Sequence, residues 1–548
     1  MSDYRQPAPV LPPHGGFFRY MAESFLLLAI AVVLFRGFFA EGYMISTGSM
    51  APTLLGYHRR VVCPECRFEF ARGAAEEAAD ESRQLVRGNY DIGLEHPTLI
   101  RCPSCSLVDI PFEQLPRTEG DQLLVHKHAY EFRDPRRWEV IVFRNPDEPR
   151  QAYVKRVAGL PGEEIEIRGG EVFANGVLCR KPMSLQRAVK VLVSRYENLT
   201  PGIDPDAQPE WIPLSSASQW RHENGQLSFQ GTETDSSAPI DWIGYRHWMR
   251  SGGSHVTRVP LSKWPREFRV PDPSVSALQY QDGFLQCTGV FSNVERQSWL
   301  TATDDAEFHQ AMNRLYEQAH LSGVTDESGY NAPESTREQF VDEFFLELVL
   351  QNVTGNGRFE LRLKESRHQF TAVIDIGQRE CRILQNDNPA PVLRVSLPPE
   401  LSLDGVLVEF SLVDNQVSLA LNHQELFAPV PYESTEEPVA VPEPAQFGAS
   451  GLNCQVRNVA LSRDLHYVTR SDQSAGSVKL PDDQFYVLGD NSPVSVDSRV
   501  WEDPGVPRRA LIGKPLVVHL PSKSRRVAWQ GTTQDWRIPD FSRIRVVQ

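Results

Sequence analysis

The sequence predicts a mainly β protein that follows one N-terminal transmembrane helix. Residues 24–35, SFLLLAIAVVLF, carry no charge and are the most apolar run of the chain. Later, four stretches with strand character are separated by inserts of different composition. Between about 342 and 465, short alternating segments recur, among them FELRLK, FTAVIDI and VSLALN. Alternating segments separated by turns are typical of a β-sandwich.

Length and charge narrow the class of protein. The chain has 548 residues, enough for two to four domains with separate cores. Hydrophobic residues make up 41% and charged residues 23%, an ordinary globular composition. The formal net charge is −15, whereas phosphate binding needs a basic surface. We therefore expect no nucleic-acid partner.

The apolar run predicts a membrane anchor at 17–40, after a cytoplasmic tail at 1–16. Twelve helical residues cover only ~18 Å, less than the ~30 Å hydrocarbon core, so the span must extend on both sides. Glu23 and Arg36 then lie near its ends, where their charges can reach the headgroups. A cleaved signal peptide is the alternative, but no clean small-x-small site follows before Ser46.

The four stretches with strand character follow the anchor. They are ISTGSMAPTLL at 45–55, GDQLLVHKHAY at 120–130 with RRWEVIVFRNP at 136–146, AYVKRVAGLPGEEIEIRGGEVFANG at 152–176, and FYVLGDNSPVSVDSRVW at 485–501. VIVF within the second stretch predicts a buried strand. In the third, EIEI followed by Gly169-Gly170 predicts a β-hairpin.

Three boxes within these stretches carry a family resemblance. TGSMAPTL, KRVAGLPGE and GDNSPVSVDSR, in that order after an N-terminal anchor, resemble type I signal peptidase, the Ser/Lys endopeptidase of protein export. The resemblance implies a signal-peptidase-type β catalytic core formed by 41–62, 118–180 and 476–522. Two positions depart from the family pattern: Thr47 replaces the usual Ser, and Ser492 stands where many relatives have Arg.

The resemblance assigns Ser49 as the nucleophile and Lys155 as its general base. A Ser/Lys pair needs neither a histidine nor a cofactor for catalysis. Lysine acts as a base only when neutral. Burial and neighbouring dipoles must therefore lower its pKa from ~10.4 to near 7.

The resemblance also implies the supporting groups. Ser495 is expected to hydrogen-bond the Lys155 amine, and Asp497 and Arg499 to pair and brace their loop. The backbone N–H of Ser49 and the hydroxyl of Thr47 are expected to bind the oxyanion. Met50 is predicted to lie against the wall of the substrate pocket or against the membrane, with plain packing as the alternative.

An insert at 63–117 contains CPEC at 63–66 and CPSC at 102–105. Paired CxxC motifs predict a tetrahedral zinc site, here formed by Cys63, Cys66, Cys102 and Cys105. A structural zinc ribbon is favoured over a catalytic metal because four thiolates leave no open position. Two disulfides are the alternative, since the exported side of a membrane is oxidising.

A larger insert occupies 181–475 and contains the predicted sandwich at about 342–465. Its pattern resembles concanavalin-like and laminin-G-like sandwiches, which often bind glycans or proteins, although a fold alone does not establish a ligand. Signal peptidases with both inserts resemble those of planctomycete bacteria. Residues 523–548 are predicted to form a C-terminal tail.

The combined expectation is a single-pass signal peptidase I of the inner membrane, with its catalytic domain on the periplasmic side. It would cut exported preproteins after small-x-small sites next to the bilayer. One alternative is an envelope scaffold or binding protein with a degenerate peptidase core, which the intact Ser49 and Lys155 argue against. Another is a self-cleaving regulator with the same Ser/Lys core, which lacks support because no DNA-binding helix pair is evident.

Overall fold

The computed structural model describes residues 16–74, 100–108, 110–112, 114–145, 151–196, 209–223, 225–231, 238–250, 255–268, 278–331, 339–386, 388–434, 438–468, 476–529 and 532–548. The predicted cytoplasmic tail at 1–16 therefore lies outside the described residues, apart from Gly16.

Helix α1, Phe17–Phe38, is the predicted apolar helix. Its 22 residues span ~33 Å, the thickness of a hydrocarbon core. The window Phe17–Gly37 has a mean hydropathy of 1.9, and none of it is buried against the rest of the protein. Among the described residues, this is the one helix long and apolar enough to cross a membrane.

Ten short strands lie between α1 and the large insert. They are β1 Ala40–Met44, β2 His58–Val62, β3 Glu69–Gly73, β4 Arg117–Thr118, β5 Gln122–His126, β6 Val140–Arg144, β7 Ala152–Gly159, β8 Glu164–Arg168, β9 Glu171–Ala174 and β10 Val177–Leu178. β8 and β9 form the predicted hairpin. Its turn uses Gly169 at φ 57° and Gly170 at φ 89°, a conformation that glycine adopts without strain.

The described part of the large insert contains three helices and most of the remaining strands. The helices are α2 Met183–Val189, α3 Asn293–Leu300 and α4 Ala306–His320. The strands are β11 Val191–Arg195, β12 Trp211–Pro213, β13 Trp220–Glu223, β14 Gln226–Gln230, β15 Asp241–Tyr245, β16 Val256–Pro260, β17 Gln279–Gln281, β18 Phe284–Thr288, β19 Phe344–Glu365, β20 His368–Asp375, β21 Glu380–Gln385, β22 Leu393–Ser396, β23 Val406–Val413, β24 Gln416–Leu421, β25 Gln424–Glu425, β26 Val430–Pro431 and β27 Ala445–Arg463.

The C-terminal part adds β28 Val478–Lys479, β29 Gln484–Leu488, β30 Gly505–Pro507, β31 Leu511–Val518, β32 Ser522–Trp529, β33 Thr532–Pro539 and β34 Arg545–Val546. Residues 523–548, predicted as a tail, thus differ from that prediction. β32 pairs with β33, and β34 pairs with β31 of the catalytic sheet. The physical reason is apolar burial, because Val547 packs in the core beside Val518.

An eight-stranded sheet assembles the three predicted catalytic segments, in the order β1-β5-β31-β6-β7-β29-β30, with β34 beside β31. The VIVF strand β6 is buried on both faces, as its continuous apolar run predicts. Val140 and Val142 face one apolar cluster, and Ile141 and Phe143 face another. The predicted mainly β class is confirmed.

The large insert is dominated by two long antiparallel strands, β19 and β27, in a 14-stranded sheet. β19 pairs with β23 along 344–350 and with β20 along 358–365, on either side of irregularities in its pairing with β27. Side chains of both halves, such as Leu348 and Leu361, belong to one apolar cluster. A β-sandwich requires this packing. The sheet also includes β11–β15, which precede the predicted sandwich.

Helix α4 forms a smaller unit with the three-stranded sheet β16-β18-β17. Asp305 caps the helix, because its side chain accepts a hydrogen bond from the Phe308 N–H at 3.0 Å. Phe308, Met312 and Leu315 lie on one face and pack into a separate apolar cluster. The amphipathic pattern of this segment therefore reflects core packing.

Candidate active site and cysteine cluster

The segment that carries Ser49 is a tight turn after β1. The Ala51 N–H donates to Gly48 O at 3.0 Å, and the Leu54 N–H donates to Met50 O at 2.7 Å. Ser49 is half-buried and Thr47 is exposed. Within the described residues, the Ser49 N–H donates to no backbone acceptor. This N–H is therefore available to a ligand.

The GDN box lies directly against this turn. The Asn491 N–H donates to Ser49 O at 3.1 Å, and Asn491 Nδ2 donates to Gly48 O at 2.9 Å. A Cβ atom at Gly489 would overlap both Ser49 O and Ser495 Oγ. The close approach of the two segments therefore requires glycine at this position.

Lys155 lies on β7, opposite Ile141 of β6, and is 2% exposed. Burial lowers its pKa to about 8, since the charged form loses its hydration. The Asp497 carboxylate acts in the opposite sense, and the Arg499 guanidinium lowers the pKa further. At pH 7, ~10% of such lysines are neutral and carry the free electron pair that a base needs.

Asp497 and Arg499 form the predicted pair. Arg499 Nε donates to Asp497 Oδ1 at 2.9 Å, and its Nη2 donates to Oδ2 at 2.7 Å. Burial alone would raise the pKa of Asp497, but Arg499 and the Gly489 N–H hold it below its usual value. Arg499 also donates to Ser492 Oγ at 2.6 Å. The unusual Ser492 thus accepts a hydrogen bond from the bracing arginine.

Two predicted roles differ from the structure. Ser495 is buried, but its Oγ has no hydrogen-bond partner, so the predicted hydrogen bond to Lys155 is not formed. Met50 is 1% exposed and packs among Ile45, Leu54 and Val125. Its long apolar side chain fills the core below the turn, which is the alternative of plain packing.

A buried ion pair next to the site was missed in the sequence. Arg156 Nε donates to Asp490 Oδ1 at 2.8 Å, and its Nη2 donates to Oδ2 at 2.7 Å. The pair connects β7 to the segment after β29. The sequence could have indicated this pair, because Arg156 directly follows Lys155 and Asp490 stands within the GDN box.

The four predicted cysteine ligands come together in two equivalent turns. Cys63 Sγ lies 3.7 Å from Cys105 Sγ, and Cys66 Sγ lies 3.6 Å from Cys102 Sγ. All four sulfur atoms lie within 4.8 Å of one another, and all four cysteines are free thiols. Thiolates ~2.3 Å from one zinc in a tetrahedron are ~3.8 Å apart. The cluster therefore fits a metal ion.

The backbone of the two cysteine turns repeats the same pattern. The N–H of the first cysteine donates to the carbonyl oxygen five residues later: Cys63 N–H donates to Phe68 O and Cys102 N–H donates to Leu107 O, both at 2.9 Å. The residue after each second cysteine has a positive φ, 62° at Arg67 and 56° at Ser106. β2 and β3 continue from the first turn as antiparallel strands.

The chain matches the family model described as signal peptidase, peptidase S26, over residues 113–213 and 412–520. The match includes Lys155 and the segment 489–499, and it begins after Ser49.

Among curated relatives, signal peptidase I of Leptolyngbya laminosa is 43% identical over 76 residues, which cover 12% of this chain and 37% of the relative. Signal peptidase I of Pseudomonas aeruginosa is 40% identical over 150 residues, 22% of this chain and 47% of the relative. The protein of the same name from Pseudomonas fluorescens is 28% identical over 224 residues, 39% of this chain and 59% of the relative. The chain thus spans less than two thirds of each relative.

Among solved structures, the carbohydrate-binding module CBM66 from Bacillus subtilis aligns with 22% of this chain and 75% of its own, at 12% identity and a TM-score of 0.18. At that TM-score the similarity establishes neither fold nor ligand for the insert. The family match and the signal peptidase relatives confirm the resemblance to type I signal peptidases. Residues 113–213 and 412–520 are therefore similar to the signal peptidases of the peptidase S26 family.

Proposed function

We propose that the protein is a membrane-anchored signal peptidase I that removes signal peptides from exported preproteins with Ser49 and Lys155. The observation that carries the proposal is the environment of Lys155. This lysine is buried, its pKa is lowered to about 8, and its strand adjoins the segment that contacts the Ser49 turn. Lysines in this state suit general-base catalysis near neutral pH.

The reaction follows from these groups. Ser49 Oγ attacks the scissile carbonyl while the neutral Lys155 amine takes the hydroxyl proton. The carbonyl oxygen becomes an oxyanion, which accepts hydrogen bonds from the Ser49 N–H and the Thr47 hydroxyl. The intermediate expels the amine of the mature protein, which receives the proton from Lys155. Water then attacks the acyl-enzyme ester, with Lys155 again as base, and releases the signal peptide.

The remaining predicted site residues are proposed to position the reacting groups or to pack beneath them. Asp497 and Arg499 brace the segment that carries Ser495. Ser495 is proposed to donate to the Lys155 amine once substrate closes the site, because catalytic hydrogen bonds often form only in the substrate complex. Met50 packs below the turn and is not proposed as a pocket wall.

Helix α1 supports a membrane span, and we propose that the span lies in the inner membrane with the catalytic domain on the periplasmic side. A nucleophile eleven positions after the end of α1 is suited to substrates held at the same bilayer. The proposed specificity is for small residues three and one positions before the cut, as in A-x-A sites.

The cysteine cluster is proposed to hold one structural zinc. The sulfur separations and the two equivalent turns support this assignment, and four thiolates leave no position for substrate. When bound, the metal supplies folding free energy to a small module. The prediction that the 14-stranded sheet binds a glycan or a protein stays a prediction.

Cleavage of one purified preprotein by the full-length protein in detergent tests the function. The wild type is expected to cut after the A-x-A site, and Ser49→Ala and Lys155→Met are expected to retain less than a few per cent of the rate. Ser46→Ala and Lys479→Met are matched controls, because both residues are exposed. An inactive wild type would favour the binding protein with a degenerate core.

A further inference from the structure

A turn of the large insert, Ser328–Asn331, lies against the Ser49 turn, and we refer to it as the insert turn. Tyr330 is 7% exposed, and a Cβ atom at Gly48 would overlap its ring. Its hydroxyl donates to Tyr57 O at 2.9 Å. The ring therefore spans the base of the turn that carries the nucleophile, from Gly48 to Tyr57.

The backbone carbonyl of Tyr330 is held by β3. The Gly73 N–H donates to Tyr330 O at 2.9 Å, and Arg72 Nη1 donates to the same oxygen at 3.2 Å. A Cβ atom at Gly73 would also contact the ring closely. The insert turn is thus held by the strand that continues from the cysteine cluster, and cannot shift without disturbing it.

Asn331 makes a reciprocal amide pair with Asn491. Asn331 Nδ2 donates to Asn491 Oδ1 at 2.7 Å, and Asn491 Nδ2 donates to Asn331 Oδ1 at 2.8 Å. The first bond fixes which end of the Asn491 amide points toward Gly48 O. If that amide were reversed, its oxygen would face Gly48 O and Asn331 Oδ1, and its NH2 group would face the NH2 group of Asn331.

The bond to Gly48 O bears directly on the oxyanion site. Gly48 C=O and Ser49 N–H belong to one planar trans peptide group, so they point in opposite directions. A donor that holds Gly48 O at 2.9 Å therefore also sets the direction of the Ser49 N–H. In the function proposed above, this N–H donates to the oxyanion.

We propose that Asn331 and Tyr330 are positioning residues that preorganise the oxyanion site from within the large insert. Asn331 acts through Asn491, and Tyr330 acts by packing on Gly48. The inference rests on the proposed function for its catalytic consequence. Preorganised donors contribute because they do not have to reorient during the reaction.

Asn331→Asp tests the amide pair with little change in size. The variant has no donor for Asn491 Oδ1, and the Asn491 amide loses its fixed orientation. With a preprotein substrate, kcat is expected to fall at least ~10-fold while KM changes less than about twofold, because the oxyanion exists only after substrate has bound. Asn331→Gln, which keeps the amide, is expected to recover part of the loss.

Two matched variants separate the contacts. Tyr330→Phe keeps the ring on Gly48 and is expected to retain most of the rate, whereas Tyr330→Leu is expected to lower kcat. Ser328→Ala serves as the control, because its hydroxyl accepts a hydrogen bond from the Tyr330 N–H at 3.4 Å and makes no other side-chain hydrogen bond among the described residues. Each variant must keep the melting temperature of the wild type to within a few degrees.

Hydrogen exchange of residues 45–55 measures the positioning without activity. Exchange in this segment is expected to be faster in Asn331→Asp and unchanged in β16–β18. If the wild type cleaves its substrate but Asn331→Asp has the same kcat and exchange, the positioning role is refuted and the proposed function stands. If the wild type does not cleave, the proposed function fails, and exchange at 45–55 still decides whether Asn331 holds the turn.

Discussion

The protonation of Lys155 should set the acidic limb of the pH–rate profile. Its pKa of about 8 implies that the neutral fraction rises from ~10% at pH 7 to ~90% at pH 9. If the neutral amine is the base, kcat/KM should rise close to ~10-fold over that interval. The measurement is cleavage of a preprotein between pH 6 and pH 10.

Charges beside Lys155 allow the limb to be moved in both directions. Asp497 raises the pKa of Lys155 and Arg499 lowers it. Asp497→Asn should therefore move the limb to lower pH, and Arg499→Gln should move it to higher pH. A displacement of half a pH unit changes the rate at pH 7 about threefold, which is easily measured.

Stability must be controlled in these variants, because Asp497 and Arg499 form a buried pair. Removing one partner of such a pair typically costs ~3–5 kcal/mol. The double variant should restore part of this loss and return the limb toward that of the wild type. Asp134→Asn, which breaks the exposed pair between Asp134 and Arg508, should leave the limb unchanged. A flat profile between pH 7 and pH 9, or displacements of the same sign in both single variants, would refute the assignment of Lys155 as base.

Three further outcomes are expected. Thr47→Val should lower kcat about 100-fold with little change in KM, because an oxyanion donor is typically worth ~3 kcal/mol. Thr47→Ser keeps the hydroxyl and should stay active. An unchanged turnover number in Thr47→Val would show that the Ser49 N–H suffices. Lys155→Met should raise the melting temperature at pH 7, because a lysine pKa lowered from 10.5 to about 8 corresponds to about 3 kcal/mol of unfavourable burial of the ammonium group. Because the pKa of Lys155 is lower in the folded chain than in the unfolded chain, wild-type stability should rise from pH 8 to pH 10.5, and the advantage of the variant should disappear by pH 10.5. A lower melting temperature of Lys155→Met at pH 7 would contradict a buried lysine with a lowered pKa. Elemental analysis of protein purified without chelator should find about one zinc per chain, and chelation should unfold the cysteine turns locally, whereas a mass lower by four hydrogens would identify two disulfides.

The sequence predicted those parts of the fold that depend on neighbouring residues. The apolar run of β6 and the turn glycines between β8 and β9 are local patterns, and the structure contains both. Paired CxxC motifs likewise predicted that four sulfur atoms would converge. Each of these features is decided within a short segment by packing or turn geometry.

Long-range pairing was not predictable from such patterns. Nothing local to 545–546 indicates that this strand pairs with β31, so a tail was expected there. Arg156 and Asp490 are 334 residues apart, and Asn331 and Asn491 are 160 apart. Arg156 and Asn491 lie within family boxes, but the sequence analysis assigned neither of them a role. Asn331 lies in no family box. Its contact with Asn491 depends on the insert folding back onto the Ser49 turn, which no local pattern indicates.

The large insert and the catalytic core meet in a second buried network, which bears on how the chain is divided. Lys181, where the insert was predicted to begin, is buried and contacts Asp464 at 2.8 Å, Asp414, and Glu171 of β9 at 3.7 Å. Burial raises the pKa of Glu171, and the charge of Lys181 opposes that rise. Burial also raises the pKa of Asp464, to about 6. Such a network is costly unless all its members are present.

The predicted boundary at 180–181 therefore lies inside a buried cluster instead of in an exposed linker, where domain boundaries usually fall. The insert turn adds a second attachment, at the nucleophile itself. Removing the insert would leave Glu171 without its lysine and Asn491 without its amide partner. The core and the insert are consequently interdependent in packing, even though only the core carries the proposed catalytic residues.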